Sequence, residues 1–316
     1  MRAAGGRPSL LPFAFLAGTV TIWGTSYWPT AVAGSHTNSL VLGVLRTAPS
    51  ALLLLALVPI LGGRFPRGRM LAWALVTSGP MIALFYWGAT DAIARAGPGN
   101  GAVLVNTIPL WVALLGWLLL KERLALAAIL GLVVGFGGVV LMVSSQLGGS
   151  DDTGQLLLGM GLALVVALGW TGGTLLLKRL GSGGDLEPIG FTAAQFVGGS
   201  IILVPIAFAI EGTSGTDWGS GEMWGAAMWI GPGNAIGAIL FYMALAKLPA
   251  SQTASALFLV PAVAVIVEIA RGNAPTAVVL VGMALTVIGV ALVSVPSERL
   301  SALVGALLRR PAREPT

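Results

Sequence analysis

Cysteine is absent from all 316 residues, and histidine occurs once, at His36. Disulfides, thiolate metal centres and cysteine nucleophiles are thereby excluded. A single histidine builds no clustered metal site, so no metal is expected. Charge is the second shortage. Asp, Glu, Lys and Arg together make up 9% of the chain, where a soluble domain carries about a quarter. No Walker A phosphate loop is present, which leaves ATP-driven transport by this chain unsupported. The Gly212-Thr213-Ser214-Gly215 tetrad resembles a protease motif, but it lies in an acidic loop between apolar segments, and His36 lies in another loop. No buried Ser-His pair follows from it. The net charge of +5 comes from basic residues scattered between apolar runs, not from a patch that would bind nucleic acid. Neither an enzyme activity nor a cofactor is expected.

Apolar sequence is abundant. Hydrophobic residues make up 56% of the chain, and the mean hydropathy is +0.92. Ten apolar segments are legible, at about 10–33, 40–61, 70–92, 98–120, 125–145, 156–177, 188–210, 224–246, 251–271 and 275–295. Each is long enough, at about 1.5 Å per residue, to cross a hydrocarbon core of about 30 Å. The first is read as a retained helix, because it has a counterpart later in the chain. The 45 glycines suit helices that pack through small faces. The fold class is an all-α polytopic membrane protein whose partners are the lipid bilayer and a small-molecule substrate. No feature marks an oligomeric state.

The ten segments are five written twice. Trp23-Gly24-Thr25 matches Trp170-Thr171-Gly172, Arg46 matches Gln195, and Leu84-Phe85-Tyr86 recurs as Leu240-Phe241-Tyr242. Pro109 matches Pro261, and Gly131, Gly138 and Leu141 match Gly282, Gly289 and Leu292. The first repeat is expected over 1–149, and the second over 150–316, ending in a short basic tail. An odd number of spans per repeat forces the halves into opposite orientations. With the N-terminus inside, fourteen Lys and Arg residues fall on the cytoplasmic side and two, Arg95 and Arg271, fall outside. That asymmetry places both termini in the cytoplasm and the protein in the inner (plasma) membrane.

Two inverted five-helix halves, Trp-Gly in the first span, Arg46 in the second, and Asn106-x-x-Pro109-Leu110 followed by Leu120-Lys121-Glu122-Arg123-Leu124 resemble the EamA-like branch of the drug/metabolite transporter superfamily. The likeness spans about 10–296. It implies a secondary transporter, usually an exporter of amino acids, other small metabolites or drugs, driven by gradients. The family's second half commonly ends its ninth span with an acid, where this chain reads Arg271-Gly272-Asn273. The alternative is an uncoupled facilitator or channel, or a scaffold that transports nothing.

Candidate residues follow from the cost of polarity in a bilayer. A charge near mid-bilayer costs about 2.5–3.5 kcal/mol on insertion scales, which singles out Arg46 and Glu268. Glu268 is either a protonatable coupling group or an interfacial partner of Arg271 three positions on. Arg46 either grips a substrate carboxylate through its planar fork or ties its helix to neighbouring carbonyls. The polar and aromatic pocket candidates are Trp23, Ser26, Tyr27, Tyr86, Trp87, Asn100, Asn106, Trp170, Thr174, Asn234, Tyr242, Gln252 and Ser255. The family resemblance places their helices around a central cavity. Pro109 and Pro261 are kinks or hinges. Trp111 and Trp117 are expected to face lipid, and Trp28, Trp218, Trp224 and Trp229 to sit at the interface.

Overall fold

A computed structural model of the chain describes residues 10–105, 107–121, 126–144, 153–181, 187–272 and 276–294. All regular structure among the described residues is helical. The first half holds α1 (Leu11–Thr25), α2 (Tyr27–Gly34), α3 (Ser39–Ile60), α4 (Gly68–Ser78), α5 (Leu84–Val105), α6 (Ile108–Leu120) and α7 (Leu126–Ser144). The second holds α8 (Thr153–Gly181), α9 (Pro188–Ile210), α10 (Gly221–Leu245), α11 (Ala250–Ser255), α12 (Leu259–Ala270) and α13 (Ala277–Ser294). Ten spans account for these thirteen helices, because several spans are broken. The expected boundary between the repeats, at 149/150, lies outside the described residues.

Proline explains where the breaks fall, since it lacks an N–H for the carbonyl four residues earlier and its ring crowds that carbonyl. Pro29 frees the carbonyl of Thr25, and α1 gives way to α2 there, at Ser26. Pro109 frees Val105, the last residue of α5. Pro261 frees Leu257, inside a 3₁₀ turn over Ala256–Phe258. Pro109 is therefore at the second position of α6, where a missing N–H costs little. A π-helical turn over Gly79–Ala83, carrying Pro80, joins α4 to α5.

One expected boundary differs. The sequence reading separates a span at 70–92 from one at 98–120, whereas a single helix, α5, covers Leu84–Val105. Phe85 and Val105, near its two ends, wall the same cavity, although a straight helix of that length would hold them about 30 Å apart.

Helix ends show the inversion directly. Both oxygens of Glu211, just beyond the C-terminus of α9, accept from the first amides of α3, with Leu40 N at 3.0 Å and Val41 N at 3.1 Å from Oε2. At the other end Glu187 caps α9, accepting from Ile189 N at 3.1 Å and Gly190 N at 2.6 Å, and Arg64 N, just after α3, reaches it at 3.4 Å. The corresponding second spans of the two halves thus lie antiparallel, with each free helix N-terminus met by a carboxylate. The wider packing exchanges in the same way: α1 packs on α10 and α12, and α8 packs on α5 and α6. Outward faces carry large apolar residues such as Leu52, Leu126, Ile201 and Ile210, all exposed, as lipid contact requires.

Candidate functional site

Between the halves lies a cavity of about 430 Å³. It opens beside the break at Ser26. There α1 contributes Trp23, the break contributes Ser26, and α2 contributes Tyr27 and Thr30. Arg46 comes from α3, Phe85, Tyr86 and Thr90 from one face of α5, and Val105 and Pro109 from either side of the break before α6. The second half supplies Trp170 from α8, Asn234 from α10, and Leu257 and Val260 around the 3₁₀ turn.

Aromatic rings from equivalent positions of the two halves form its floor. Trp23 and Trp170 meet edge to face, with centroids 5.8 Å apart, an arrangement the ring quadrupoles favour. Trp170 packs on Phe85 at 4.5 Å, and in the mirrored contact Trp23 stacks on Phe241 at 5.9 Å. Both indole Nε1 atoms are buried without a hydrogen-bond partner among the described residues.

Arg46 dominates the electrostatics. Its guanidinium carbon lies 4.7 Å from the centroid of the Tyr86 ring, a cation–π contact. Its Nε is buried and has no hydrogen-bond partner among the described residues. The backbone of this helix turn is well held, since Ser50 Oγ donates to Arg46 O at 2.7 Å and Asn234 Nδ2 donates to the same oxygen at 3.3 Å. The nearby acids are committed elsewhere. Asp91 accepts from Arg95 Nε at 2.5 Å, a bond that raises the Arg95 pKa above its ordinary value, and Glu211 is held by α3.

The cavity hydroxyls donate inward to their own helices. Ser26 Oγ gives its proton to Ile22 O at 2.7 Å, Thr30 Oγ1 to Ser26 O at 2.7 Å, and Thr90 Oγ1 to Tyr86 O at 3.3 Å. Their oxygens are left to act as acceptors.

The repeat-related shell is closed. Gln195, the counterpart of Arg46, is fully buried and donates from Nε2 to Thr77 Oγ1 at 2.7 Å. Tyr242, the counterpart of Tyr86, donates to Met81 Sδ at 3.9 Å. Met81 fills the space left by Gly173, and Thr174 is completely buried beside it in the chain, its hydroxyl without a partner among the described residues.

Of the sequence candidates, Trp23, Ser26, Tyr27, Arg46, Tyr86, Pro109, Trp170 and Asn234 reach the cavity wall. Thr174 and Tyr242 sit in the packed counterpart instead. Trp87 packs on the α3 side of α5 against the cluster around Leu42. Ser255 is buried and donates to Gln252 O at 2.9 Å, while Gln252 lines a separate apolar groove with Phe13 and Val263. Asn106 lies outside the described residues, as do the side chains of Asn100, Pro261 and Glu268, the last of which belongs to the final turn of α12. Phe85, Thr30 and Thr90 were not among the candidates, although Thr30 follows Ser26, and Thr90 follows Tyr86, by the four residues that share a helix face. Among the tryptophans, Trp117 is exposed as expected, but Trp111 is half-buried and donates to Thr107 Oγ1 at 3.0 Å, because α6 packs inward on α8. His36 stands away from the cavity, between Asp217 and Glu222.

The chain matches the model of the EamA-like transporter family twice, over residues 10–144 and 157–295. Among curated proteins it is 28% identical to an uncharacterized transporter of Bacillus subtilis, YvbV, over 90% of this chain and 91% of that one. Protein PecM of Dickeya dadantii is 29% identical over 64% of each chain. A solved crystal structure superposes with a TM-score of 0.78, at 19% identity, covering 92% of this chain and 98% of the other, a likeness of fold.

Proposed function

The chain belongs to the EamA-like transporter family, and on that premise we propose that it is a secondary transporter that exports a small organic metabolite, an amino acid or drug-like compound, by alternating access. One observation carries the reading. Equivalent shells of the two inverted halves are in opposite states, the Arg46–Tyr86 shell around a cavity and the Gln195–Tyr242 shell packed shut. Inverted repeats that exchange these conformations would close one side as they open the other. The distribution of Lys and Arg supports an inner-membrane orientation with cytoplasmic termini, which turns the open half outward. Pro109 and Pro261, each just after a helix break, are the hinges of this motion.

The test is flux into liposomes holding the purified protein, measured with a pooled amino-acid and metabolite mixture, with and without a pH gradient. Saturable, gradient-sensitive accumulation of a compound supports the coupled transporter. Saturable flux indifferent to the gradient indicates a facilitator, and flux that never saturates overturns alternating access.

A further inference from the structure

Charge in the cavity is one-sided. Arg46 is the only Lys, Arg, Asp or Glu among the described residues that line it. Its guanidinium takes part in no described ion pair or hydrogen bond, and its buried Nε has no partner among the described residues. A half-buried cation left in this state is costly unless something else supplies the negative charge. Among the described side chains, the acids on adjoining elements are already engaged, Asp91 by Arg95 and Glu211 by the amides of α3. The backbone bonds from Ser50 and Asn234 hold this turn of α3 in place, so the fork is positioned before any ligand arrives.

We propose that Arg46 is the anchor for a ligand carboxylate, and that the cavity takes singly charged organic anions carrying a flat or branched apolar body. This rests on the transporter reading above and narrows its cargo to organic anions, setting amino-acid zwitterions aside. A carboxylate matches the guanidinium fork in two parallel hydrogen bonds. Phosphate monoesters carry nearly two charges, more than one arginine neutralises. Zwitterions and cations bring an ammonium that no carboxylate among the described lining residues meets. The body of the anion lies on Trp23, Phe85 and Trp170, whose rings supply apolar surface. The volume of about 430 Å³ lies in the ordinary range for small-ligand sites.

A matched series separates charge from shape: 3-phenylpropanoate (anion), 3-phenylpropanamide (neutral), phenylalanine (zwitterion) and phenethylamine (cation). Binding to the purified full-length protein in detergent is measured by calorimetry, and flux of the same compounds in liposomes. The anion is expected to bind at least about tenfold tighter than each of the others, the factor equivalent to one charge-assisted hydrogen bond. Arg46→Gln should erase that preference while leaving binding of the amide, and Arg46→Lys should restore part of it. Equal binding across the series in the wild-type protein, no binding of the anion, or an anion preference that survives Arg46→Gln in a protein that stays monodisperse would each overturn the proposal. The wild-type series alone decides the matter if the variants fail to fold. Preferential anion binding without flux would leave the anion site standing and remove the transporter reading, whereas saturable flux without charge preference would do the reverse.

Discussion

Gly131 of α7 and Gly289 of α13 pack so closely that a Cβ on Gly131 would lie 2.6 Å from the carbonyl oxygen of Gly289. Gly138 stands in the same relation to Gly282. Since Gly131 is equivalent to Gly282 in the repeat, and Gly138 to Gly289, the two contacts are one contact seen from each half. A pseudo-two-fold axis demands this reciprocity, as it does of any self-complementary interface.

Side chains at these glycines must therefore push two backbones apart. Gly131→Leu is expected to lower stability by about 1–3 kcal/mol or more, the range for over-packing. Gly137, next to Gly138 in sequence but with open space around its Cβ position, should accept alanine with no loss. Thermal unfolding of both variants in detergent, followed by fluorescence, distinguishes them. Equal midpoints would mean that the α7–α13 contact contributes nothing.

Glu211 acts across a long sequence interval, accepting from Leu40 N and Val41 N at the start of α3. The α3 N-cap position, Asn38, makes no capping bond of its own. Glu211→Ala should cost about 0.5–2 kcal/mol, as loss of an N-cap does, and Glu211→Gln somewhat less, since an amide oxygen still accepts. Urea or thermal denaturation of the detergent-solubilised protein would register the order Ala below Gln below wild type.

The chain lacks cysteine, so single introduced thiols can be read without background. Thr30 lines the open cavity, while Leu177, its repeat equivalent, is 1% exposed. Thr30→Cys is expected to react with a membrane-impermeant maleimide added outside intact cells, and Leu177→Cys to react only slowly from either side. Fast labelling of Leu177→Cys from outside would contradict the orientation.

Thr90→Val retains shape and removes one hydroxyl acceptor from the cavity wall. For a transported compound that donates a hydrogen bond, KM should rise about two- to tenfold, the equivalent of one net hydrogen bond, while the melting point stays where it was. A lowered melting point with unchanged KM would assign Thr90 to structure alone.

Hydrophobic run length and a repeated order of landmarks were enough to read ten spans, their duplication and their inversion from the chain, because bilayer thickness and span parity constrain these features without any knowledge of packing. The breaks beside Pro109 and Pro261 were legible too, since a proline disfavours the turn before it, although Pro49, Pro59, Pro205 and Pro232 stand inside continuous helices. The continuous α5 was not, because Gly97, Pro98, Gly99 and Gly101 read as a loop between two apolar runs.

At the cavity the division runs between equivalent residues. Composition and intramembrane cost singled out Trp23, Trp170, Tyr86, Tyr242 and Arg46 alike, since an aromatic or charged residue in a span stands out whatever surrounds it. Only the tertiary structure decided that Tyr86 and Arg46 border space while Tyr242 and Gln195 are packed against Met81. Two copies of one pattern carry the same local information, and a protein with inverted halves holds them in different conformations, so the distinction exists only in how the helices pack.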